Sequence, residues 1–261
     1  MQRIAIGLEY DGTGYCGWQR QPTVPTLEAT VVAALSRVAD EPLTLVCAGR
    51  TDAGVHALCQ VVHFDTSARR TRRAWMLGAN TYLPRDVRVL WARPVPLHFH
   101  ARFSAEWRQY RYLILSRPSP SALLRERAAW VVDRLDLRAM RRAARYLLGE
   151  HDFATFRSAE CQSRSTRRSI ERLEVERDGD YIVVTVRANA FLHHMARNLV
   201  GLLLAIGRGE YAPLDAKRLL AARDRRLAPP TAPAHGLYLE AVGYPPAFGL
   251  PSGSSFRSAM I

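Results

Sequence analysis

The chain has 261 residues, 48% of them hydrophobic, enough to bury a core in one large domain or two moderate ones. Its formal net charge of +13 favours an anionic partner, nucleic acid first, because a summed positive field concentrates polyanions; a GC-rich coding bias is the plainer source, since Lys217 is the only lysine and arginine supplies every other base. The cysteines Cys16, Cys47, Cys59 and Cys161 are scattered without a C-x-x-C pair, which excludes a dense disulfide scaffold and reads as reduced thiols.

Ile4, Ile6, Leu8 and Tyr10 recur with period two, predicting a half-buried N-terminal strand that ends at the Asp11-Gly12-Thr13-Gly14 turn. These first residues do not have the pattern of a signal peptide. A helix is expected from Thr26, a candidate N-cap, with Leu27, Val31, Leu35 and Val38 on one stripe. Strands are predicted at 43–48 and 60–64, so that the segment 49–58 falls on the loop between them. A second unit begins after Pro94 and Pro96 with a strand at 107–115, followed by a helix that Asp136 caps and Gly149 ends in an αL conformation. Strands at 170–176 and 181–188 read as a hairpin through Asp178-Gly179, and a helix from about Phe191 to Ile206 closes the unit. That last apolar stretch is too short, and too interrupted by His193, His194, Arg197 and Asn198, to span a bilayer. A soluble cytoplasmic protein with no membrane partner is expected.

The two halves share an order of strand, helix and two further strands, which predicts an α+β fold of two pseudo-symmetric units. Each is expected to be a mostly antiparallel sheet with helices packed on one side, with a basic active-site cleft between the units. The expected boundaries are 1–103, 104–247 and a disordered Gly/Ser/Pro-rich tail at 248–261.

The most informative stretch is Gly49-Arg50-Thr51-Asp52-Ala53-Gly54-Val55-His56-Ala57. Its glycines permit positive φ and close approach of backbone to a ligand. A carboxylate two residues from a guanidinium can accept charge-assisted hydrogen bonds that favour its ionised, nucleophilic form. As a bare pattern, Gly-x-x-Asp-x-Gly is equally a common turn in which Asp bonds its own backbone.

Taken together, the nine residues resemble the signature of the TruA family of tRNA pseudouridine synthases. Further blocks carry the likeness in the family's order: Asp11-Gly12-Thr13-Gly14-Tyr15 with Gly17-Trp18-Gln19-Arg20-Gln21, Phe99-His100-Ala101-Arg102-Phe103-Ser104 with Tyr110-Arg111-Tyr112, Cys161-Gln162-Ser163-Arg164, Asn189-Ala190-Phe191-Leu192-His193-His194-Met195 with Arg197-Asn198, and Gly236-Leu237-Tyr238-Leu239.

The resemblance implies an isomerase that breaks the N-glycosidic bond of uridine, rotates the base and rejoins C5 to the ribose, without cofactor, redox change or energy input. Asp52 is then the essential carboxylate, attacking C1′ or the pyrimidine ring or acting through a glycal. Arg197 is the arginine that pairs with it, expected on a helix with His193 at i, i+4 spacing, or else a phosphate contact. Tyr110 is the tyrosine expected against the target base, Leu237 the apolar wall against the uracil, and Arg50 the cation that enters the space left by the flipped uridine, or alternatively a structural partner of Asp52. Arg157, Arg164, Arg167 and Arg168 form a basic cluster suited to RNA backbone contacts or simply to a solvated face. His193 and His194 suggest a metal, but adjacent histidines on a helix point about 100 degrees apart and no third ligand is suitably spaced, so no metal is expected. The implied partner is tRNA, at uridines of the anticodon stem-loop, and the implied assembly is a homodimer. A non-catalytic RNA-binding or RNA-folding protein of the same fold, and a hydrolase that releases uracil, are the competing readings.

Overall fold

A computed structural model describes residues 1–251. In chain order the elements are β1 (Gln2–Tyr10), α1 (Leu27–Ala39), β2 (Val46–Cys47), β3 (His56–Thr66), α2 (Arg72–Tyr82), β4 (Val87–Val95), β5 (Trp107–Ser116), β6 (Ala129–Val131), α3 (Leu137–Tyr146), β7 (Gly149–Asp152), β8 (Arg167–Asp178), β9 (Tyr181–Ala188), α4 (Met195–Gly207), α5 (Asp215–Ala222) and β10 (Leu237–Gly243). The described residues form two compact units, one of Met1–Arg108 with the described residues from Tyr238 to Pro251, the other of Gln109–Leu237. This division differs from the boundary expected at residue 103. β10 joins the first unit because it pairs in parallel with β3, Tyr238 opposite His56 and Leu239 opposite Ala57.

In the first unit the strand order is β4-β1-β3-β10, with β2 added to β3. β1 runs antiparallel to both β3 and β4. It was expected to be half-buried, yet Ile4, Ala5, Ile6 and Leu8 are all within 2% of full burial, so side chains on both faces of the strand are covered. Gly7 has a packing reason: a Cβ there would lie 2.2 Å from the Trp91 ring. Helix α1 buries Leu27, Val31, Ala34 and Leu35, while Val38 packs against α2, where Gly78 leaves room for it. Thr26 does occupy the N-cap position, but its side chain makes no cap hydrogen bond. Helix α2, not anticipated from the sequence, is capped by Thr71, whose hydroxyl accepts the Ala74 N–H at 3.1 Å. It sets Trp75 edge-on against Phe64 of β3 and ties Asn80 to the backbone of Val89 in β4.

In the second unit the order is β5-β9-β8-β7, with β6 parallel to β5. The β8–β9 hairpin forms as expected, Asp178 opposite Tyr181, with Gly179 at φ +56°. Asp136 caps α3 by accepting the Ala139 N–H at 3.0 Å, but the helix stops at Tyr146, short of Gly149. Helix α4 starts at Met195 and not near Phe191, since His194 adopts φ +62°, a left-handed conformation that cannot continue a right-handed helix. The expected strand, helix and two further strands are β1-α1-β2-β3 in the first unit and β5-α3-β8-β9 in the second, with β6 and β7 added between them in the second.

Of the expected tail, residues 252–261 lie outside the described residues. Phe248, just ahead of them, packs on Phe99 at 5.0 Å and on His98 at 5.6 Å. Among the described residues no helix is long and apolar enough to cross a membrane, and all four cysteines are free.

Candidate active site

The segment from Gly49 to Val55 connects β2 to β3, so Asp52 does lie on a loop, while His56 and Ala57 already belong to β3. Asp52 begins a tight turn in which its carbonyl accepts the Val55 N–H at 3.2 Å. Gly54 at the third position has φ +75°, the conformation that favours glycine there. Thr51 is buried and its hydroxyl shares a 2.8 Å hydrogen bond with the Tyr10 hydroxyl at the end of β1. The neighbouring Arg50 is exposed and Asp52 half-buried, so the loop alternates anchored and accessible side chains.

The N-terminal loop braces this turn from behind. Trp18 N–H donates to Thr51 O at 2.9 Å, and Gly54 N–H to Tyr15 O at 3.4 Å. Gly12 N–H donates to His56 Nδ1 at 3.0 Å, and Asp11 Oδ1 lies 3.2 Å from the same nitrogen. The His56 ring stacks on Tyr238 at 4.7 Å. Two sequence blocks far apart in the chain therefore form one packed support for Asp52. Tyr10, Gly12, Gly17 and His56 were given no individual role by sequence reasoning, although each lies in or beside a family-like block.

In the second unit, Tyr110 sits on β5, 7% exposed, with its ring edge-on to Phe191 at 4.8 Å. Phe191 is a neighbour that the sequence reading missed. Arg197 lies in the first turn of α4, half-buried, and its Nε donates to Ala232 O at 2.8 Å while Ala232 N–H returns a bond to Arg197 O at 3.2 Å. Leu237, 4% exposed, begins β10. Just before it, Gly236 allows the Tyr112 ring to come within 2.7 Å of where a Cβ would be, and the Tyr112 hydroxyl donates to Pro233 O at 2.8 Å. Burial pushes the Tyr112 phenol above its ordinary range.

Two expectations about the histidines need correction. His193 precedes α4, so it does not share a helical face with Arg197. The rings of His193 and His194 are not splayed by helical geometry either; their centroids are 4.0 Å apart. The basic cluster is partly committed within the fold: Arg167 pairs with Glu150 at 2.9 Å, and Arg168 donates to Ser163 Oγ and to the carbonyls of Ser165 and Arg167. Arg164 is exposed and Arg157 half-buried. A separate cavity of about 990 Å³ in the second unit, bordered by Arg117, Arg134, Arg138, Arg141 and Arg177, contains none of the expected site residues.

The family model described as tRNA pseudouridine synthase matches residues 7–104 and 143–245. The tRNA pseudouridine synthase A of Methylococcus capsulatus is 54% identical over 255 residues, covering 98% of this chain and 94% of its own length. That of Vibrio cholerae is 52% identical over 95% of this chain and 94% of its own; that of Hydrogenovibrio crunogenus is 50% identical over 96% of each. The solved archaeal box H/ACA sRNP Nop10-Cbf5 complex is similar at a TM-score of 0.34 and 16% identity over 77% of this chain and 44% of that one, a likeness too slight to carry weight. With the Asp52 turn and its N-terminal brace in place, and relatives at half identity or more along nearly the whole chain, the protein belongs to the tRNA pseudouridine synthase family.

Proposed function

We propose that this protein isomerises uridine to pseudouridine in the anticodon stem-loop of tRNA, with Asp52 as the essential carboxylate. The observation that carries this reading is the accessible Asp52 on a braced, glycine-dependent turn within a chain of this family. The reaction breaks the bond between N1 and C1′, turns the base within the pocket and joins C5 to C1′; the C5 proton leaves to solvent and N1 regains one, so no redox partner is needed. An ionised, oriented carboxylate serves each candidate route, and water must be kept from the detached base.

Arg50, exposed on the same loop, is suited to fill the stack vacated by the flipped uridine and so to offset part of the few kcal/mol that flipping costs. Tyr110, Arg197 and Leu237 take the roles of base contact, carboxylate partner and apolar wall by their family positions. Arg157, Arg164, Arg167 and Arg168 contribute backbone contacts, a role weakened for Arg167 and Arg168 by their internal partners. A homodimer in the cytoplasm is the assembly and location that fit this function.

The test is a tRNA transcript carrying tritium at C5 of uridine. The wild type is expected to release tritium to water without free uracil, and Asp52→Asn to release none. Release unchanged by Asp52→Asn overturns the assignment, and free uracil marks a hydrolase.

A further inference from the structure

The segment Phe99–Ser104 belongs to the family-like sequence blocks but has no part in the function above. It closes on itself. Ser104 N–H donates to His100 O at 2.8 Å, and the Ser104 hydroxyl accepts the His100 N–H at 2.9 Å. His100 Nδ1 accepts the N–H groups of Arg102 and Phe103 at 3.2 and 3.1 Å. The turn is also tied to the core through fully buried Ala101, whose N–H donates to His63 Nδ1 at 3.1 Å and whose carbonyl accepts the Tyr244 hydroxyl at 2.6 Å.

At the tip of this rigid turn, Phe103 is 75% exposed. Its ring stacks on the His100 imidazole, centroids 4.3 Å apart and planes 27° from parallel, and the Arg102 guanidinium carbon lies 5.5 Å from its centroid. A single exposed apolar residue is ordinary on a protein surface. One that is held on a self-bonded turn, backed by an imidazole and flanked by a guanidinium, has instead the chemistry of a stacking platform: a π-face for a base and a cation for its phosphate. Because the turn is already ordered, docking there costs little conformational entropy.

The turn is fixed to the catalytic loop by one buried cation. Arg108, 8% exposed, donates from Nη2 to Ala48 O at 3.0 Å and to Arg102 O at 2.5 Å, from Nε to Ala48 O at 3.3 Å and from Nη1 to Ala105 O at 3.1 Å. Ala48 immediately precedes the Gly49–Ala57 segment that carries Arg50 and Asp52.

We propose that Phe103, with Arg102, stacks an unpaired base of the RNA substrate next to the target uridine, forming a binding subsite of the Asp52 loop. This rests on the RNA-isomerase reading above. A second copy of the chain or another protein would also cover an exposed aromatic, but the flanking Arg102, the exposed Arg50 and the net charge of +13 match a polyanion carrying exposed bases.

The experiment uses the full chain as wild type, Phe103→Ala and Phe103→Trp, with a tRNA transcript bearing 2-aminopurine beside the target uridine. Phe103→Ala is expected to raise Kd and KM roughly 5- to 150-fold, the range set by one lost base stack. It should abolish the quenching of 2-aminopurine on binding and leave kcat and the melting temperature unchanged, while Phe103→Trp retains affinity and quenching. Unchanged Kd and quenching in Phe103→Ala overturn the proposal, as does an effect confined to the sedimentation coefficient, which would assign the surface to a protein interface. Weakened RNA binding by Phe103→Ala alongside a wild type that releases no tritium would uphold the stacking contact and sink the isomerase reading instead.

Discussion

Gly12 lies so close to Val55 that a Cβ on it would be 2.0 Å from the Val55 carbonyl oxygen. Gly17 is similarly placed, its notional Cβ 2.9 Å from Thr51 O, with φ +87° as a second demand for glycine. Between them these two glycines let the N-terminal loop lie against both ends of the Asp52 turn. Gly12→Ala and Gly17→Ala are therefore each expected to lower stability by ~1–3 kcal/mol in urea unfolding, and to reduce tritium release further than the loss of folded protein accounts for. Wild-type stability and turnover in Gly12→Ala would show that the loop yields freely and does not position Asp52.

Arg108 serves three carbonyls with one buried guanidinium, and a lysine ammonium cannot reproduce that fork. Arg108→Lys should cost roughly 1.5–3 kcal/mol in denaturant unfolding, since buried carbonyls lose charge-assisted bonds. RNA affinity should fall along with it, because the Phe103 turn and the Asp52 loop lose their common anchor. A stability loss with RNA affinity unchanged would confine Arg108 to a purely structural role.

His63 is buried, and burial first, then the positive charge of Arg3 and the His100 ring, push its pKa down from 6.5 to about 4. Between those values the unfolded chain holds a proton that the folded chain does not. The stability from neutral His63 is thus complete above about 6.5 and is lost as pH falls toward about 4. The melting temperature should drop between pH 7 and pH 5, and His63→Gln should flatten that slope while being less stable at pH 7. Parallel slopes for the two proteins would contradict this linkage.

The thiols differ in reactivity for a physical reason. Burial pushes Cys47 up to about 12 and Cys59 up to about 11, whereas Cys16 is exposed. Thiolate is the reactive form. Brief alkylation of the native protein near pH 8, read by peptide mass spectrometry, should modify Cys16 and spare Cys47 and Cys59, with all four labelled after denaturation. Early modification of Cys59 would mean that β3 opens far more readily than its burial implies.

Local signals in the chain were enough to place β1, the body of α1, the Asp136 cap and the β8–β9 hairpin, because capping, turn chemistry and short-range periodicity act over a few residues. The linear motifs, through their resemblance to the family, are what point to Arg50, Asp52, Tyr110, Arg197 and Leu237 as the proposed site residues. What the tertiary structure decided depends on residues distant in sequence. β1 has residues of both faces buried, its edges are paired with β3 and β4, and β10 leaves its sequence neighbours to pair with β3. His194 delays the start of α4 to Met195 through a backbone angle that hydrophobic periodicity does not encode. The bracing of Asp52 by Gly12 and Gly17, and the anchoring of Phe103 through Arg108, arise only when separate loops meet, since steric fit and carbonyl geometry are properties of the packed chain.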